Sequence, residues 1–297
     1  MRARALARRR LGRAGARALA TSGSLASSVE ALAASPYGRD VRAGSSLADA
    51  QRAVGAVLLW HLRVLAGWQP AEGSQAVRAL AGWFEIANVD DLLRALSGTA
   101  RPEPYRLGRL AVAWPRLVAA TSAEQVHRVL AASAWGDPGG ETPWQVGIGM
   151  RCAWAERVAE VSGTTRRWAA GGVALMLARE RFGSGRTLNE RAVAPAVRLL
   201  GSGILTAASL PEAAARLPAS AQDALAGVTT PEDLWAAEAR WWARVERDGF
   251  GMLRGARFGL DAPVGTAAVL AVDAWRVAAA LEVAARGGSV AVFDALA

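Results

Sequence analysis

The stretch "LAGWFEIANVDDLLRAL", residues 80–96, decides the fold class. Projected at about 100° per residue, Ile86, Val89, Leu92, Leu93 and Leu96 form one apolar stripe, the mark of an amphipathic helix. Glu85 falls inside that stripe, and Asn88 sits one turn along. A buried carboxylate is costly unless it is paired and hydrogen-bonded. Glu85 therefore needs an arginine or a free helix end from a neighbouring segment.

Working outward, alanine, leucine and arginine, all good helix formers, fill the segments between Gly/Pro/Ser clusters. The breaks fall near Ser35-Pro36, residues 68–73, 97–104, 136–143 and 183–185, Pro218, residues 229–231 and Ala262-Pro263. The chain reads as all-α, and 297 residues at 52% hydrophobic content are ample for a substantial core. No low-complexity linker divides it, so one compact body over residues 1–297 is expected.

The opening pattern has echoes. At an offset of 85, Trp83, Leu92 and Arg94 correspond to Trp168, Leu177 and Arg179 of "WAAGGVALMLARE". A third helix, "AVLAVDAWRVAAALEVAARGG", carries Asp273, Trp275 and Arg276. A second theme follows the first two: "LGRLAVAWPRLVAATSAEQVHRVL" (107–130) is echoed by "LLGSGILTAASLPEAAARL" (199–217) as a glycine turn, a short helix and a Ser-capped helix. The shared order points to internal repetition.

The helix from Pro231 has Thr230 as N-cap, proline in its first turn and Glu232 and Asp233 facing the positive end of the dipole. Gly249 is placed to end it. Its apolar face is Leu234, Trp235, Trp241, Trp242 and Val245, with Glu238 projecting into the middle. Glu85, Glu238 and Asp273 read as inter-helix clamps against arginines or helix ends. A sharper reading makes them a catalytic carboxylate set, because apolar surroundings raise a carboxyl pKa. No nucleophile elbow, phosphate loop or His/Glu metal pair accompanies them, and "GSGILTA" at 201 reads as a turn. No cofactor and no metal are expected.

Cys152 is the one cysteine, which excludes an intrachain disulfide, and His61 and His127 are too few for a Cys/His zinc cluster. Both histidines lie in helical runs and read as core or boundary residues. Trp60, Trp83, Trp168, Trp241, Trp242 and Trp275 read as core or interface packing.

The net charge of +9 is concentrated: seven arginines and no acid lie in residues 1–20, which leaves +2 for the remainder. Three readings fit this terminus: a disordered tail, a first helix with Arg9, Arg13 and Arg17 on one face, or an arm for anionic headgroups. The helix is favoured. No continuous apolar run follows it, so a secretory signal is a poor fit. The longest uncharged runs, residues 199–211 and 168–178, are too short to span a bilayer, so a chain that does not cross the membrane is expected.

These residues together resemble a family of central-stalk proteins of A/V-type rotary ATPases, designated C in the A-type enzymes and d in the eukaryotic V-type enzymes. "WFEIANVDDLLRAL" followed by "LGRLAVAWPRLVAATSAEQVHRVLAASAWGD" looks like that family's acid, Asn, Leu-Leu, Arg helix, then a glycine turn and a Ser-x-Glu helix ending in an aromatic-Gly step. Glu85, Asn88, Leu92 and Arg94 are the matching positions. Residues 50–136 carry the clearest likeness, and residues 234–286 a looser one through Glu238, Asp273 and Arg276. The middle copy departs from the pattern, with Ala170 and Val173 in place of Glu85 and Asn88.

The resemblance implies three similar helical lobes arranged as a funnel. It also implies a non-catalytic central-stalk role between the other stalk components and the membrane proteolipid ring, in proton or sodium transport. The chain would lie peripherally on the cytoplasmic face of the membrane, contacting its surface, with no small-molecule substrate and no nucleic acid. Two alternatives stand beside it: a helical scaffold that binds nucleic acid or acidic partners through the arginine arm, and a helical enzyme using Glu85 or Glu238.

Overall fold

A computed structural model describes residues 2–140, 142–255, 259–288 and 290–296. The chain is all-α, with no strand among the described residues. In order the helices are α1 (Arg2–Ala7), α2 (Gly12–Ala20), α3 (Leu25–Ala33), α4 (Leu47–Gly67), α5 (Ala71–Leu96), α6 (Trp114–Leu117), α7 (Ala123–Ala131) and α8 (Pro143–Ala159). They continue with α9 (Gly163–Ala178), α10 (Glu190–Leu200), α11 (Gly203–Thr206), α12 (Leu210–Ala215), α13 (Leu234–Arg254), α14 (Asp261–Arg286) and α15 (Val290–Leu296).

Side-chain caps start many of these helices. Ser24, Ser46, Ser122 and Ser209 each accept the N–H three residues on, and Thr142 with Gln145 and Ser162 with Thr165 close reciprocal capping boxes. Each satisfies one or two of the orphan donors of a first turn. Thr230 stands at the N-cap position of the short 3-10 turn Pro231–Asp233, but the bonds there go to Asp233, whose Oδ2 accepts the N–H groups of Thr229 and Thr230 at 3.1 and 3.0 Å.

The chain divides into two compact units, Met1–Val77 with Trp242–Ala297, and Arg78–Trp241. In the first, α14 packs against α1, α2, α3 and α4. Leu32, Val54, Val277, Leu281 and Phe293 make its core. By length and composition α14 could cross a bilayer, with mean hydropathy 1.5 over its most apolar window, yet 78% of that window is buried inside the protein. The second unit holds two cores. One gathers α8, α9, α10, α12 and the start of α13, and the other gathers Ile86, Leu92 and Leu93 of α5 with Leu117, Leu130 and Met150.

Two expectations about helix ends need correction. α13 runs through Gly249 to Arg254 instead of stopping there. Within the first unit a Cβ on Gly265 would lie 2.7 Å from the carbonyl oxygen of Gly249 and 2.9 Å from Met252 Cβ. Gly249 therefore serves close helix crossing, not termination. The arginine-rich terminus forms two helices, not one, with residues 8–11 between α1 and α2, so Arg9 does not share a helical face with Arg13 and Arg17.

Each unit also contains one version of the same local motif. Ser24 caps α3 and Ser122 caps α7; after the helix the hydroxyls of Ser35 and Ser133 donate to the carbonyls of Leu32 and Leu130, at 2.6 and 2.7 Å. The same hydroxyls accept the N–H of Tyr37 and Trp135, both at 3.1 Å, and Gly38 and Gly136 follow. Every residue number differs by 98 between the two, as in 24 and 122 or 35 and 133. This repeat over residues 24–38 emerges from the hydrogen bonds and lies outside the echoes found in the sequence.

Candidate functional site

Glu85 is 1% exposed on α5. Its Oε1 accepts the N–H groups of Ala113 (2.5 Å) and Trp114 (2.6 Å), and its Oε2 accepts that of Val112 (2.7 Å). These donors lead into α6, so the carboxylate does for that segment what a capping side chain does locally. Asn88, fully buried one turn on, holds the preceding strip of chain: it donates to the carbonyl of Tyr105 at 2.9 Å and accepts the N–H of Tyr105 at 2.7 Å. Leu92 completes the face as a core residue, 2% exposed.

Asp273 on α14 repeats the arrangement inside the first unit. Its Oδ1 accepts the N–H of Gly12 and its Oδ2 that of Leu11, both at 2.8 Å, while the Tyr37 hydroxyl donates to Oδ2 at 2.8 Å. Gly12 has φ +76°, a left-handed conformation that glycine adopts without strain and that turns the chain into α2. Burial, with the neighbouring Asp273 charge, pushes the Tyr37 phenol above its ordinary pKa. Of the two partners expected for these acids, an arginine or a free helix end, both acids take the helix end. A carboxylate offers two oxygens with several lone-pair sites, enough to accept two or three successive backbone donors.

The remaining motif residues separate into ordinary ion pairs. Arg276, 3% exposed, meets Glu246 through two bonds of 3.1 and 3.0 Å. Arg179 reaches Glu238 at 2.6 Å with both side chains partly exposed, an expected clamp. Arg94 pairs with Asp91 one turn back on α5, and Asp90 bonds Arg151 of α8 at 2.6 Å. In the middle copy, Ala170 and Val173 are buried, and the indole of Trp241 packs on Gly171 and Gly172 while donating to the carbonyl of Trp168 at 3.0 Å.

Arg157 was missed by sequence reasoning, and Trp135 entered it only as the aromatic of an aromatic-Gly step. The Arg157 guanidinium lies 4.8 Å from the Trp135 ring centroid, and burial pushes its pKa down against the opposing pull of Glu85. The recurring "AS-x-aromatic-Gly" steps at 34–38 and 132–136 were the available signal for Tyr37 and Trp135. His127 meets Asp137 at 3.1 Å, and burial followed by the Arg9 charge pushes His61 down to about 4. Among the described residues no group of three or more His, Cys, Asp or Glu side chains could hold a metal ion.

Every donor to Glu85 and Asp273 named above belongs to the chain itself. The chemistry on display is the fixing of one segment against another. No protein-family model matches the chain, and no curated protein matches it.

Proposed function

We propose that this chain is a non-catalytic central-stalk subunit of a V/A-type rotary ATPase, seated as a peripheral protein on the cytoplasmic face of the membrane between the stalk and the proteolipid ring. Its role is to couple rotation to proton or sodium transport as a stiff adaptor of similar helical lobes arranged as a funnel. The observation that carries the reading is the duplicated clamp: Glu85 and Asp273 each grip consecutive backbone N–H groups at the start of a helix with no side-chain cap of its own, α6 and α2, and a Ser-capped helix follows each. A torque coupler has to resist sliding of one helix past another, and hydrogen bonds donated by backbone N–H groups to a buried carboxylate fix register directionally. The all-α build and the resemblance over residues 50–136 agree with that role.

The test is affinity purification of the tagged full-length chain from its own cells, paired with a gene deletion. The reading expects proteolipid and catalytic ATPase subunits to co-purify, and ATP-driven ion pumping in membrane vesicles to be lost on deletion. Recovery without those subunits, together with unchanged pumping in the deletion strain, would overturn it.

A further inference from the structure

The second unit carries a surface groove between α6 and α7 that none of the roles above uses. It is shallow and open, lined between its arginines by Ala119, Ala120, Gln125, Val129 and Ala132, with Ala119 and Ala132 exposed and all three alanines short enough for another helix to approach closely. Val118 beside it is 45% exposed, extending the apolar surface. Its charged lining is basic: Arg116 has no carboxylate partner among the described residues, and Arg128 meets Glu124 only at 3.9 Å with both side chains largely exposed. An exposed pair of that length contributes little, so Arg128 keeps most of its positive field for a partner.

We propose that this groove docks an acidic amphipathic helix of a partner protein, with small apolar residues on the floor and carboxylates against Arg116 and Arg128. Electrostatic complementarity selects the partner's sign, while the shallow alanine floor selects a helix that is itself lined with small residues. Two arginines fall short of the roughly four to eight basic residues that mark an anionic-lipid site. The floor offers no aromatic ring on which a nucleobase could stack. The inference rests on the groove alone and stands apart from the rotary reading.

The experiment uses the full-length protein and a synthetic amphipathic peptide of about 16 residues, long enough for a helix to form on docking. One of its faces is alanine and the flank is glutamate, and binding is followed by fluorescence anisotropy at low and moderate salt. The expected result is saturable binding, weakened about tenfold or more in the Arg116→Glu/Arg128→Glu variant and blocked by Ala119→Trp, with the thermal melts of both variants unchanged. A lysine-flanked counterpart should not bind. Undiminished peptide binding by the charge-reversed protein would overturn the proposal. Tighter binding of phosphatidylserine vesicles or single-stranded RNA through the same two arginines would overturn it equally.

Discussion

The Tyr37 hydroxyl donates to Asp273 Oδ2 across 2.8 Å, joining residues 236 positions apart. The same carboxylate holds the N–H groups of Leu11 and Gly12, so one side chain ties α14 to the start of α2 and to the turn after α3. Phenylalanine at position 37 would keep the ring and remove the donor. A hydrogen bond to a charged group contributes about 1.5–3 kcal/mol, and Tyr37→Phe should lose about that in urea unfolding at neutral pH. Equal stability of variant and wild type would mean that the bond is energetically idle.

Tyr37 also sets an alkaline dependence. Its folded pKa is raised, so its contribution to stability is full below the unfolded value, near 10, and falls as pH climbs above that. Absorbance at 295 nm should show the Tyr37 phenolate appearing only as the chain unfolds. Tyr37→Phe should flatten the alkaline decline.

Glu85→Gln should fold and be less stable by about 2–4 kcal/mol, because a glutamine has one acceptor oxygen for donors that now divide between two. Hydrogen exchange at Val112, Ala113 and Trp114 should speed up well beyond the change at α14. Uniform acceleration along the whole chain would argue that Glu85 does not act locally.

His61 gives an acid-side dependence of opposite sign. Its folded pKa is lowered to about 4 by burial and by the Arg9 charge, so the stability it contributes is present above its unfolded value and lost as pH falls toward 4. Denaturant midpoints measured between pH 7 and pH 4.5 should decline less steeply in His61→Gln than in the wild type.

Two helical glycines separate packing from propensity. A Cβ at Gly265 would collide with the Gly249 carbonyl, so Gly265→Ala should destabilise by about 1–3 kcal/mol. Nothing lies within 4 Å of a Cβ at Gly251 on α13, so Gly251→Ala should stabilise by about 0.5–1 kcal/mol. Thermal melts of the pair check both signs at once.

Much of this architecture is legible from local chemistry. Ser122 and Ser209 announce their helix starts because a capping oxygen and the N–H it accepts lie three residues apart. The oddity of Glu85 and Asp273 is legible too, since a carboxylate on an apolar stripe demands a partner. The partner itself is not: Val112, Ala113 and Trp114 lie 27–29 residues from Glu85, and Leu11 and Gly12 lie 262 and 261 from Asp273. Every backbone N–H looks alike in a sequence, so the choice between an arginine and a free helix end, and of which end, stays open there.

The amino-acid sequence by itself determined the helical class, the helix starts and the need to neutralise acids on apolar faces, because propensity, capping and periodicity act within a few residues. Tertiary structure decided which backbone groups those acids hold, that Asp90 turns to Arg151, and that Gly249 continues α13. Each of those outcomes depends on two segments meeting in space, and only the folded packing sets that distance.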